Sequence, residues 1–309
     1  MTLYLIRDDD GNATTDPTRL ERAYLPLLDA GIPLNFSIVP EVRLDTLGPD
    51  GRREAFLNPS TTAKNACATL ERRTPLAEWL RAHRGQVGVM MHGLSHERRR
   101  GGTEFGALST SEAVRLMVRG LDVLERALDV CPRGFVAPWD AFCRESLGVA
   151  TSAFDLVSTG YVDRIRLAPR SWASHLVERV SGAGVVAAGR GWVVRHPGCV
   201  FTADTRGGDV DGILSRISAD ALVCVVVLHH WMFWGSGEPH PVIVELAQRL
   251  RGKGVCRVDR VIEELDSLAP GWALRRAAGR GAQRILGGGW NRLGVGESGA
   301  TRDFSGGRA

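Results

Sequence analysis

Thr2-Leu3-Tyr4-Leu5-Ile6 is a short run of apolar and β-forming residues, and it leads directly into Arg7-Asp8-Asp9-Asp10-Gly11. Such a run reads as a buried strand. Three adjacent carboxylates repel one another and have no packing use, so they need either open solvent or a cation. At the C-terminal end of a parallel strand a metal ion is the commonest such cation. The competing reading is a solvated acidic loop that turns at Gly11-Asn12. The rest of the chain has to separate the two.

Asp16-Pro17 reads as a cap followed by proline at the first helical position, with Gly31 just past the helix end. Between them Leu20, Tyr24, Leu27 and Leu28 recur at helical spacing, and Ile32 to Val39 is a second strand stopped by Pro40. Strand, helix, strand in so short a span implies a parallel pair. Residues 41 to 74 read as an irregular segment, long enough to be functional or mobile. A short helix over 75–83 leads to the strand Gln86 to Met91, which meets His92-Gly-Leu-Ser-His96. Ser109-x-x-Glu112 is a capping box opening a helix through Leu128, and the strand Arg133 to Ala137 is stopped by Pro138-Trp139. Weaker strands are expected over 155–159 and 185–188. A helix at 209–219 then precedes the apolar strand Leu222 to Leu228, which meets His229-His230-Trp231. A helix over 241–251, a strand over 254–258 and a helix to Leu268 follow.

This alternation, repeated about seven times, predicts an α/β fold with either a barrel or a doubly wound sheet. The unusual residues favour the barrel. Asp9 and Asp10, His92 and His96, Pro138 and Trp139, and His229 and His230 all sit just past the end of an expected strand. In a barrel those ends share one face, where active sites are found. The chain divides into residues 1–268, the α/β domain, and 269–309, a Gly- and Arg-rich segment expected to be a flexible tail.

The formal charge of +4 comes without a compact Lys/Arg stripe and interleaved aromatics, so nucleic acid is not an expected partner. Six cysteines without a C-x-x-C pair read as reduced core residues. No basic-then-apolar leader and no apolar run of about 18 residues precedes or interrupts the pattern, so a cytoplasmic location is the expectation.

The spacing of His92 and His96 lets one turn or tight loop present both imidazoles to one side, as metal ligation needs. Two histidines on the surface beside Arg98-Arg99-Arg100 are the alternative. Two imidazoles and one carboxylate suit Zn²⁺, and Co²⁺, Mn²⁺ or Fe²⁺ suit the same donors. A second, non-ligating carboxylate could hold a water and take its proton. A histidine at the end of the strand before His229-His230 is a natural general acid, or else a core imidazole bonded to backbone. Trp139, Trp231, Phe233 and Trp234 could line a sugar-binding groove or simply fill the core.

These motifs together resemble those of the NodB-like polysaccharide deacetylases (carbohydrate esterase family 4 in the broad sense), and more closely a divergent branch with an Arg-x-Asp-Asp start. Arg7-Asp8-Asp9-Asp10-Gly11 looks like the first motif, which makes Asp9 the catalytic base and Asp10 a metal ligand. His92-Gly-Leu-Ser-His96 looks like the second and supplies the two histidine ligands, and Glu104-Phe105-Gly106 is also like that branch. Phe135-Val-Ala-Pro138-Trp139 takes the place of the third motif, a groove wall, with Val136 where better-known members have arginine. Val227-Leu228-His229-His230 looks like the last motif and holds the acid, His229 by spacing with His230 as rival. Arg7, Pro138, Trp139 and Trp231 are the expected substrate-binding residues.

The resemblance spans roughly residues 3 to 265. It implies a distorted (β/α) barrel of about seven parallel strands and a divalent metal, usually zinc. The implied reaction removes an N-acetyl or other N-acyl group from an amino sugar in a glycan or glycolipid precursor, with metal-activated water, an Asp base and a His acid. Three other readings stay open: an amidase or deformylase on another acylated substrate, a catalytically silent glycan-binding protein of the same fold, and a soluble enzyme drawn to anionic membrane by its Arg-rich tail.

Overall fold

The computed structural model describes residues 2–268, apart from 49, 58–65, 100–101, 161–165, 168, 182, 197–198, 206, 216–220 and 235–236. The expected tail over 269–309 lies outside the described residues. The first half runs β1 (Leu3–Gly11), α1 (Pro17–Asp29), β2 (Leu34–Ile38), β3 (Glu41–Arg43), β4 (Cys67–Thr69), α2 (Pro75–Ala82), β5 (Val87–His92) and α3 (Thr110–Leu128). The second half runs β6 (Gly134–Val136), α4 (Arg144–Ala153), β7 (Leu156–Thr159), α5 (Trp172–Ser181), β8 (Val185–Ala188), β9 (Gly191–Arg195), α6 (Gly207–Ser215), β10 (Val223–Leu228), α7 (Pro241–Leu250), β11 (Gly254–Val255) and α8 (Val258–Leu268).

Local chemistry sets the helix starts. Asp16 accepts a hydrogen bond from the Thr18 N–H with Pro17 in the first turn. Ser109 and Glu112 cap one another reciprocally at the start of α3.

The main sheet follows the order β10-β1-β2-β5-β6-β7-β9-β8, all pairs parallel except β8 with β9. The seven parallel strands of that path curl into a nearly closed α/β barrel, the one of the two α/β architectures that the residues at the strand ends favoured. On its other edge β1 is shared, because β11 pairs with Leu3 and Tyr4 while β2 pairs from Arg7 onward. The remaining gap, between β9 and β10, is bridged by loop backbone. Val227 donates to the Cys199 carbonyl at 2.8 Å and accepts from the Phe201 N–H at 3.0 Å.

Several elements differ from expectation. The segment 41–74 is not irregular throughout, since β3 and β4 pair antiparallel. Three residues each, with β4 partly exposed, are too short for an alternation signal. The strand β9 and the helices α4 and α5 were not anticipated. The expected strand over 254–258 is only the two residues of β11, because α8 begins at Val258. The expected helix at 209–219 is α6, and residues 216–220 lie outside the described set.

Alternation along β1 places the site. Leu3 and Leu5 point inward, onto a buried set that includes Met90, Val136, Leu156, Val225 and the α8 residues Val258, Val261, Ile262 and Leu265. Ile6 points outward to the helical layer with Leu20, Tyr24 and Phe36. Arg7 and Asp9 continue the inward series, so the barrel interior changes from hydrocarbon to ions within two residues.

Candidate active site

The three acids are not a loop after the strand, as the sequence suggested, but part of it, and all three are buried. Each has its own partners. Asp8 points outward, where it accepts hydrogen bonds from the Tyr24 hydroxyl and from the His230 N–H at 2.7 Å, and its other oxygen lies 2.9 Å from His230 Nδ1. Asp9 points inward and accepts from Arg7 Nη2 at 2.7 Å. The β1–β2 register then slips between Asp8 and Gly11, and Asp10 takes a left-handed backbone with φ 73°. A bulge of this kind re-aims a side chain. Here it turns Asp10 to the strand ends, toward His92, His96 and Trp231.

His92 is the last residue of β5, and the loop after it is held by one buried carboxylate. Glu104 accepts from the N–H groups of Leu94 (3.2 Å), Ser95 (2.9 Å) and His96 (3.2 Å) and from the Ser95 hydroxyl (2.8 Å). Burial still pushes the Glu104 carboxyl up, against these donors. Gly93 is required in this loop, because with φ +60° an added Cβ would sit 2.3 Å from Glu104 Oε2 and 2.6 Å from Pro138 Cγ. The loop brings His96 Nε2 to 3.2 Å from Asp10 Oδ1, the distance that His92 Nε2 also keeps.

Aromatic rings cover this cluster. Phe56 meets the His96 ring edge-on at 4.8 Å between centroids, and Trp139 lies 4.3 Å from the same ring. Trp231 donates its indole N–H to Asp10 Oδ2 at 3.0 Å, and its ring is 5.5 Å from that of His229. His229 Nε2 stands 3.8 Å from Asp10 Oδ2. Behind Asp9 a second set closes the interior. Arg7 donates to Ser158 Oγ at 2.6 Å, and Asp140 lies 3.8 Å from Arg7 and 2.9 Å from His196 Nε2. Burial would raise the Asp140 carboxyl, but His196 and Arg7 hold it below its ordinary value. Among the described residues, four of the five non-glycine residues with positive φ (Asp10, His96, Trp139 and Asp140) belong to this region. Strained backbone of this kind tends to gather at functional sites.

Of the expected site residues, the fold brings Asp9, Asp10, His92, His96, His229, Trp139 and Trp231 together. Three others are corrected. His230 is fully buried, tied to Asp8 and turned away from Asp10, so it has no access to a substrate. Arg7 is also buried, and it grips Asp9 rather than facing a ligand. Pro138 is buried beneath Gly93 and supports the histidine loop. Asp8 was named only as part of the acidic run, and Ser158, Asp140 and His196 were missed. A lone acid, serine or histidine in a loop or weak strand carries no spacing signal.

The donor chemistry fits a metal ion. The ligand atoms of Asp10, His92 and His96 lie within 4.8 Å of one another. His92 Nδ1 is 3.2 Å from the Val136 carbonyl, which can only accept, so Nδ1 carries a proton and Nε2 is the nitrogen left to face Asp10. An imidazole nitrogen and a carboxylate oxygen this close share a cation, either a proton or a metal ion. The 3.2 Å spacing is close to the roughly 3.3 Å between ligand atoms that a tetrahedral site with bonds of ~2.0 Å demands.

Without metal, a proton serves instead. Burial would raise the Asp10 carboxyl, yet His92 and His96 hold it well below the usual range; burial would lower His92, yet Asp10 and Asp9 raise it. The raised histidine stabilises the metal-free chain fully below its ordinary 6.5 and loses that contribution as pH rises through the folded value. The depressed aspartate contributes above its ordinary 3.8 and loses it as pH falls. The pair thus stabilises most between these values, and a zinc ion held by these residues would compete with the proton. The rise in Tm on adding zinc is expected to be larger at pH 8 than at pH 6. Thermal denaturation at both pH values checks this, and equal rises would exclude zinc at these histidines.

No protein-family model and no curated protein matches the chain. Solved structures do. A Mycobacterium smegmatis protein solved as a candidate polysaccharide deacetylase aligns with a TM-score of 0.53 at 14% identity, over 86% of this chain and 91% of that one. A family 4 acetyl xylan esterase from Clostridium thermocellum, solved with a cobalt ion, gives 0.45 at 14%, over 85% and 91%. A peptidoglycan deacetylase from Bacillus subtilis gives 0.45 at 14%, over 89% and 96%. The class defined here is an α/β barrel with the polysaccharide-deacetylase, or NodB-like, fold.

Proposed function

We propose that the chain is a metal-dependent hydrolase that removes an N-acyl group, acetyl in the first instance, from an amino sugar. The observation that carries this reading is the pairing of two groups at the strand ends. Two imidazole Nε2 atoms converge at 3.2 Å on one carboxylate oxygen, and a second carboxylate, Asp9, is held beside them by a buried arginine. The fold shared with the Mycobacterium smegmatis protein supports the same reading.

Asp10, His92 and His96 would hold the ion, and zinc suits two imidazoles and a carboxylate best. When bound, the metal would supply Lewis acidity to a carbonyl oxygen and lower the pKa of water. The protein's own groups do the rest. Asp9, with one oxygen fixed by Arg7, keeps its other oxygen to take a proton from the attacking water. His229 faces Asp10 from the opposite side and can deliver a proton to the leaving nitrogen. Glu104 and Gly93 fix the histidine loop, and Trp231 fixes Asp10. The rings of Phe56, Trp139 and Trp231 limit water, which strengthens the charge interactions beneath them. Arg7 also bears on the silent alternative. Val136 packs in the core, and the arginine that reaches Asp9 comes from β1 itself.

The test is acetate release from a panel of N-acetylated sugars by the zinc-loaded chain, with His229→Asn beside wild type. Release is expected from wild type, with kcat lowered about 10²-fold in His229→Asn, the scale of general acid catalysis. No release from any member of the panel, with zinc bound, would overturn the hydrolase.

A further inference from the structure

At the end of β5 remote from His92, where β6 also begins, the ends of α2 and α3 and the start of α8 enclose a cavity of about 230 Å³. Four arginines line it, Arg81, Arg84, Arg133 and Arg257, against two acids, Asp129 and Asp259. Both acids are already met. Arg72, from outside the cavity, donates to Asp129 and holds its carboxyl below the ordinary value, with Arg81 and Arg84 adding to the effect. Asp259 lies 3.7 Å from Arg133, which also donates to Asp155 at 2.7 Å. Among the described residues, Arg81, Arg84 and Arg257 are left without a carboxylate partner.

Backbone carbonyls hold these three in place without neutralising them. Arg257 Nη1 donates to the Arg84 carbonyl at 2.6 Å, and Arg84 Nε to the Arg81 carbonyl at 3.2 Å. Arg81 donates to the carbonyls of Ala127 at 2.5 Å and Arg72 at 2.7 Å. Cations beside the last carbonyls of α2 and α3 meet the negative ends of those helices. That role occupies both terminal nitrogens of Arg81. It leaves both terminal nitrogens of Arg84, and Nε and Nη2 of Arg257, with no acceptor among the described residues.

Three like charges around one cavity repel, and an anion between them turns the repulsion into attraction. A guanidinium fork matches the edge of an oxyanion with two parallel hydrogen bonds. Two forks that line one cavity from different elements, the turn after α2 and the residue before α8, suit an anion with more than two acceptor oxygens. A phosphate group has them, and a carboxylate does not.

We propose that Arg84 and Arg257, with the added charge of Arg81, form a phosphate-binding site at the end of the barrel remote from the metal cluster. It takes a soluble phosphate or a phosphate headgroup and ties α2, α3 and α8 together. The site stands apart from the hydrolase reading, because none of its residues belongs to the metal cluster.

The test is calorimetric titration of the full zinc-loaded chain with inorganic phosphate and with pyrophosphate. Wild type is compared with the double variant Arg84→Gln/Arg257→Gln and with Arg249→Gln. Arg249 lies on α7, outside the cavity, and controls for the loss of surface charge. Pyrophosphate is expected to bind wild type and Arg249→Gln alike, and the double variant about tenfold or more weakly. Phosphate held at the metal is common to all three and cannot produce that difference. Cys131 gives a second reading on the unaltered chain. It is exposed and lines the cavity, so pyrophosphate should slow its alkylation by N-ethylmaleimide while the exposed Cys67 reacts as before.

No binding of either anion to wild type, equal affinity in the double variant, or Cys131 alkylated at one rate with and without pyrophosphate would each overturn the site. Phosphatidylcholine vesicles with and without phosphatidic acid separate the two sources. Sedimentation that needs phosphatidic acid and is lost in the double variant assigns the site to a lipid headgroup. Sedimentation that is absent or unaltered in the double variant, with pyrophosphate binding lost, assigns it to a soluble phosphate.

Discussion

Replacing Asp10 or His92 with alanine is expected to remove bound metal and hydrolysis together, with kcat/KM falling at least ~10³-fold. The scale follows from the several kcal/mol of charge stabilisation that a metal supplies, at about 1.4 kcal/mol per tenfold. The two substitutions should differ in stability. Asp10→Ala leaves two imidazoles and the Trp231 N–H without their shared partner, whereas His92→Ala leaves Asp10 still bonded to Trp231 and His96. Metal content of the purified variants and acetate release from a sugar that wild type hydrolyses provide the check. Activity retained without metal in either variant would disconnect this cluster from the chemistry.

The second large effect is expected at Arg7. Arg7→Met keeps the stem's packing but leaves Asp9 buried without its cation and Ser158 without its donor. Breaking a buried ion pair from one side costs about 3–5 kcal/mol, so chemical denaturation should show a loss of that order. A misplaced base costs on the order of 10² in kcat. Arg7→Lys should recover charge but not the fork that reaches Asp9 and Ser158 together, and so should recover only part of either quantity. A cycle with Asp9→Asn isolates the pair: Arg7→Met should cost much less stability when Asp9 is already uncharged. Equal cost in both backgrounds would mean that Arg7 acts through packing alone.

The sequence revealed the strand ends far better than it revealed what the side chains do there. Apolar runs with Pro and Gly boundaries marked β1, β2, β5, β6 and β10 because those strands are buried on both faces. Their ends carried the residues that the barrel collects. The second set, Asp140, His196 and Ser158, comes from β7, β9 and the turn after β6, short elements with weak patterns, and only the closed sheet brings them to Arg7. His229 and His230 were inseparable in the sequence because both follow the same strand. What divides them is strand parity, with one side chain meeting Asp10 and the next meeting Asp8 in the outer layer. Arg7 was expected to contact substrate only through the family resemblance. Its partner two residues away on the same face pointed the other way.

The bulge at Asp10 has a consequence for comparing this chain with others. Three identical letters in a row give an alignment no purchase: a shift by one position still matches aspartate to aspartate. Yet the three are not exchangeable, since one anchors a histidine in the outer layer, one is gripped by arginine and one faces the imidazoles. A relative with two acids here would lack one of these jobs, and only counting inward and outward positions from Leu3 would show which.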